Sequence, residues 1–93
     1  MRGSIYVIYN FYMPELVKIG MTTRSIKHRL KELHNTSSPC EWECWNKIEI
    51  DNVELIEKKI HSKLRKHRVS INREFFKMDP YDAWEEVKNV CGV

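Results

Sequence analysis

The sequence predicts an α+β fold: a small three-stranded antiparallel sheet flanked by helices. Three observations carry that prediction. The chain has 93 residues, which suits one domain with a modest core. Its apolar patterns run in the order strand, strand, helix, strand, helix, helix. Its first two strand patterns are joined by turn chemistry, as in a hairpin.

Residues 4–9 are short, β-branched and aromatic, which predicts a strand. Asn10 to Pro14 is turn chemistry, and residues 16–19 predict a second strand that Gly20 ends. Ser25 is placed to cap a helix in which Ile26, Leu30 and Leu33 recur at helical spacing. Residues 35–39 break the pattern. Over residues 41–50, Trp42 and Cys44 alternate with Glu41 and Glu43, and Ile48 and Ile50 continue the same parity, predicting a strand with one buried face. Asp51 or Asn52 then caps a helix striped by Val53, Ile56, Ile60 and Leu64. Residues 74–77 predict at most a short extended piece. Asp79-Pro80 opens a last helix that turns Trp84, Val87 and Cys91 inward. No linker, repeat or low-complexity tract divides residues 1–93, so a single domain is expected.

Composition narrows the function. No apolar run approaches the ~20 residues of a membrane span, and no partner membrane is expected. The start of the chain does not read as a signal peptide, and three cysteines without framework spacing point to a reducing, cytoplasmic setting. Cys40 and Cys44 with His34 lack the second ligand pair of a structural zinc site. A net charge of +3 permits a polyanionic partner without demanding one. Its distribution says more. Acidic residues thin out around Lys18, Arg24, Lys27, Arg29 and Lys31, and are absent from Lys58 to Arg73, where Arg65, Lys66, Arg68 and Arg73 lie. Two such segments suit a groove for phosphates.

Hydrolysis of a phosphodiester requires activated water, neutralised charge at phosphorus and a stabilised leaving oxygen. Glu57 sits one residue off the apolar stripe of its helix, at the edge of the buried face, with His61 one turn further on the same side. Arg29 adjoins Leu30 between Lys27 and Lys31. Tyr6 lies within a strand, and Lys18 projects from the face opposite Val17 and Ile19. Taken singly, each of these residues reads first as a solvated or packed side chain.

Their order is more specific. Gly3-Ser4-Ile5-Tyr6-Val7-Ile8, then Val17-Lys18-Ile19-Gly20-Met21-Thr22, then Arg29, Glu57-Lys58-Lys59-Ile60-His61 and Asn72-Arg73-Glu74-Phe75-Phe76 resemble the GIY-YIG nuclease family. The likeness is to its phage, viral and bacterial subgroup with a K-I-G second motif. The resemblance implies a metal-dependent endonuclease. In it Tyr6 is a general base or orients water, Arg29 stabilises charge on the phosphate, and Glu57 binds Mg²⁺ or Mn²⁺. Gly20 lets the backbone turn beside the site, and Asn72 supports it. Lys18 stands where many members carry tyrosine; its ammonium would neutralise phosphate charge or, desolvated, assist proton transfer. The family's helix histidine falls on Leu33, leaving His34, His28 and His61 as candidates.

Three readings follow: an endonuclease acting on nucleic acid, DNA in the first instance; a nucleic-acid-binding domain that does not cut; and a protein-interaction module on the same fold. RNA and strandedness stay open. A domain this small has little surface for reading bases, so weak sequence preference or a homodimer with a wider footprint is expected.

Overall fold

β1 (Gly3–Asn10) is the central strand, and its sequence explains why: Ile5, Tyr6, Val7 and Ile8 form an unbroken apolar run, and each is 0% exposed. Such a run belongs where both faces are covered. In the computed structural model, which describes residues 1–34, 42–69 and 75–93 (backbone alone at 32–34), both faces are. β1 pairs on one side with β2 (Leu16–Thr22) and on the other with β3 (Trp42–Ile50), both antiparallel. β4 (Phe75–Lys77) adds to β2, giving a four-stranded sheet in the order β3-β1-β2-β4. The fold class is the expected one, with one more strand. At three residues, β4 is too short for its alternation to show in a sequence.

Two cores result. Ile5, Val7, Val17, Ile19 and Phe76 point to one face, where α2 (Val53–Lys63) and α3 (Pro80–Cys91) cover them with Val53, Ile60, Ala83 and Val87. Tyr6, Ile8 and Trp42 point to the other, where Ile26 and Leu30 of α1 (Ile26–His34) cover them.

β3 departs from the expected parity. The register with β1 shifts between Val7 and Ile8, so that Val7 faces Asn46 and Ile8 faces Cys44. Trp45 is the extra residue of this bulge and reverses the alternation. Trp42 and Cys44 therefore join the α1 core, whereas Ile48 and Ile50 join the α2–α3 core.

Gly20 likewise differs from expectation. β2 continues through Met21 and Thr22, which pair with Ile5 and Ser4. The chain changes direction after Thr22, whose Oγ1 accepts the Arg24 N–H at 3.0 Å. Ser25 caps α1 as predicted, accepting the His28 N–H on Oγ at 3.1 Å. Asn52 precedes α2 in the left-handed conformation, φ 57°, without a side-chain cap bond. Asp79 caps α3 through the Tyr81 N–H at 2.8 Å, with Pro80 at the first position. At Gly3 a side chain has no room: a Cβ would lie 2.6 Å from the Thr22 carbonyl oxygen and 3.0 Å from Val53 Cγ1.

The cores set a stability test. Phe76→Ala removes a fully buried ring and is expected to cost about 3–5 kcal/mol. Phe11→Ala, at a side chain 84% exposed, is expected to change stability by less than about 0.5 kcal/mol. Urea melts of the two variants read the difference.

Candidate active site

Strand alternation turns Tyr6 toward α1, and helical spacing turns Arg29 to meet it, since Arg29 shares a helix face with Ile26 and Leu30. Arg29 Nε–H donates to Tyr6 Oη at 3.1 Å, joining residues 23 apart in the chain. Tyr6 is fully buried and Arg29 half-buried. The bond engages Nε; a guanidinium carries four further N–H donors on its terminal nitrogens.

Gly20 is the direct cross-strand partner of Tyr6. Opposed residues point to the same face, so the glycine leaves no side chain beside the tyrosine ring. The chain does not turn there, and Gly92 is the single positive-φ glycine among the described residues. What the position supplies is space.

Lys18 lies two residues back on the same face, opposite Ile8 on one side and Phe75 on the other. Its Nζ sits 5.6 Å from the centre of the Phe75 ring, a cation–π distance. Phe75 in turn stacks on Trp42, with centroids 5.5 Å apart. Phe75 packs on the α1 core, whereas the neighbouring Phe76 faces the other core, edge-on to His61.

His61 locks α2 to the edge of β2. A carbonyl only accepts and a guanidinium only donates, so the ring's two contacts fix its tautomer. Nε2–H donates to the Ile19 carbonyl at 2.8 Å, and Nδ1 accepts from Arg68 Nη2 at 3.3 Å. With both nitrogens committed, His61 acts on the position of the helix. α2 runs antiparallel to β2, with Val53 beside Thr22 and His61 beside Ile19. Glu57 is half-buried one turn, about 5.4 Å, nearer the helix start on the flank His61 occupies. The Tyr6–Arg29 pair thus lies on the α1 face of the sheet, and Glu57 belongs to a helix that covers the other face.

The basic segments separate. Arg24 and Lys27 are exposed at the start of α1, beyond the Thr22 end of β2. Arg65 and Lys66 are exposed in a 3₁₀ turn (Arg65–His67) past the opposite end of α2. Arg68 is drawn inward to His61, and its Nε is buried without a hydrogen-bond partner among the described residues. Asn72 and Arg73 lie outside the described residues, as does the His34 side chain. Among the described residues no three His, Cys, Asp or Glu side chains gather. Burial pushes the Cys44 thiol up from its ordinary value, with Lys47 opposing, so the thiol stays protonated in the α1 core.

The chain thus folds as a small α+β sheet that carries a buried tyrosine–arginine pair on its α1 face. Residues 3–92 match the T5orf172 domain, and the chain belongs to that family of phage-associated nuclease-like domains. No curated protein and no solved structure matches it. None of its described helices is long and apolar enough to cross a membrane.

The Tyr6–Arg29 bond sets a second test. Hydrogen bonds to charged groups contribute about 1.5–3 kcal/mol. A double-mutant cycle of Tyr6→Phe and Arg29→Ala, read by chemical denaturation, is expected to give a coupling in that range. A coupling of zero would place the two groups apart in solution.

Proposed function

We propose that this domain is a metal-dependent endonuclease of the GIY-YIG type that hydrolyses phosphodiester bonds in nucleic acid, DNA in the first instance. The observation that carries the reading is the Tyr6–Arg29 hydrogen bond beside Gly20. It sets a phenol oxygen and a guanidinium at one point, next to a strand position without a side chain.

A single half-buried carboxylate, with no further ligand cluster among the described residues, suits Mg²⁺ or Mn²⁺, which keeps several waters and binds through one or two carboxylates plus phosphate oxygens. Held by Glu57, such an ion would stabilise negative charge on the phosphate and the leaving oxygen. Arg29 neutralises charge on the phosphoryl oxygens as it grows toward the transition state. Lys18, steadied over Phe75, adds a second positive charge on the same sheet face. Tyr6 orients Arg29 at rest. When the guanidinium turns to the phosphate, the phenol oxygen is uncovered to orient or deprotonate the attacking water, and the adjacent cation stabilises the charge that develops on it. His61 is a positioning residue that sets Glu57 against β2.

A non-catalytic nucleic-acid-binding domain is the second reading, favoured by one observation: Tyr6 is 0% exposed, and a proton acceptor must meet water. Digestion of labelled single- and double-stranded DNA and RNA with Mg²⁺ or Mn²⁺ decides between them. The wild type is expected to cut, and chelator to stop it. Glu57→Ala and Arg29→Ala are each expected to lower the rate by at least ~10²-fold while circular dichroism shows the fold intact. Full activity in both variants would overturn the assignment.

A further inference from the structure

A polar recess opens on the Tyr6 face, beside the first turn of α1. It is a cavity of about 550 Å³ lined by Ser4, Arg24, Ser25 and Ile26, with Lys47 and Glu49 from β3. The sheet register explains its place. Ser4 lies two residues before Tyr6 on β1, so both face α1, and Lys47 is the direct cross-strand partner of Tyr6. The cavity is therefore one strand step from the Tyr6–Arg29 pair, and Ser25 is one helical turn from Arg29.

Its chemistry suits an anion. The first-turn amides of Ile26 and Lys27 are donors that a helix cannot satisfy internally, and the helix dipole favours negative charge there. The first turn of α1 carries no acidic residue. Arg24 leans over this turn, its Nη1 donating to His28 Nε2 at 2.9 Å, and Lys47 adds charge from the sheet. Ser4 is an independent observation. It is only 8% exposed, it lines the cavity, and its hydroxyl has no hydrogen-bond partner among the described residues. A hydroxyl that opens only onto the recess is free to bond an oxygen of a ligand that enters it. Glu49 opposes an anion, but the local balance of Arg24 and Lys47 against Glu49 stays positive.

We infer that this cavity seats a phosphate of the nucleic-acid strand, next along the chain from the phosphate held at Arg29. The inference rests on the nucleic-acid reading above. Ser4, the α1 amides and Lys47 would bind the neighbouring phosphate and fix the register of the strand, so that one bond comes to the Tyr6–Arg29 pair. Phosphate contacts of this kind position a strand without reading its bases.

Amide NMR of the Glu57→Ala protein, titrated with a short single-stranded deoxyoligonucleotide, tests the site without cutting; wild type in chelator serves as the second sample. Ser4, Ser25 and Ile26 amides are expected to shift saturably. Ser4→Ala is expected to weaken binding about fivefold, the effect of one hydrogen bond. Lys47→Gln is expected to reduce the slope of log affinity against log salt by roughly 0.7, one phosphate contact on a single strand. Parallel titrations with inorganic phosphate and with oligonucleotide bearing or lacking a terminal phosphate identify the source: an equal response without the terminal group assigns an internal phosphodiester, and a response to terminal or inorganic phosphate alone overturns the strand-register role. Binding that leaves these amides unmoved, in a protein that still cuts, overturns the cavity assignment and spares the nuclease reading. Saturable shifts in a protein that never cuts uphold the cavity and remove the nuclease reading. An oligonucleotide that moves no amide overturns both.

Discussion

Everything in this domain is referred to a central strand buried on both faces. β1 cannot leave the middle of the sheet without exposing Ile5 and Val7 on one side or Tyr6 and Ile8 on the other. Burial of each side chain is worth about 1.5–3 kcal/mol, so both faces must be covered at once. One cover is α1, which brings Arg29 to Tyr6. The other includes α2, which carries Glu57 and is tied to β2 through His61. The two halves of the candidate site are consequences of one strand's alternation.

The same constraint links folding to chemistry. Tyr6 is at once a core residue and the hydrogen-bond acceptor of Arg29. His61 holds α2 by a backbone carbonyl of β2 while its other nitrogen holds Arg68. Polar groups buried in this way stay favourable only while every partner is present, which couples loss of one to displacement of the next. Lys18 belongs to the same economy through Phe75 and Trp42.

Much of the fold was legible in the residues. Ser25 and Asp79 announced their helices because a cap is a local event, readable within four residues. The stripe of Val53, Ile60 and Leu64 announced the buried face of α2 for the same reason. Motif order named Tyr6 and Arg29 together, but the hydrogen bond that joins them was not legible in it. What stayed illegible depends on partners distant in sequence. β4 exists because Leu16–Lys18 offers it an edge, Gly20 is a space because Tyr6 lies opposite, and the Ser4 recess forms only when β3 and α1 close over one end of β1. Parity in β3 was misread because a bulge leaves no mark in composition.

That bulge has a consequence for how β3 can vary. Trp45 is 44% exposed and meets Tyr9 edge-on at 6.0 Å. Its ring is a surface feature, yet its presence in the count decides which core receives Ile48 and Ile50. The position therefore stores arithmetic rather than chemistry. Many side chains could stand there, but an insertion or deletion anywhere between Cys44 and Ile48 would shift the phase of one half of the strand against the other. Lineages of this domain should accordingly drift in letter at this site while keeping its length fixed.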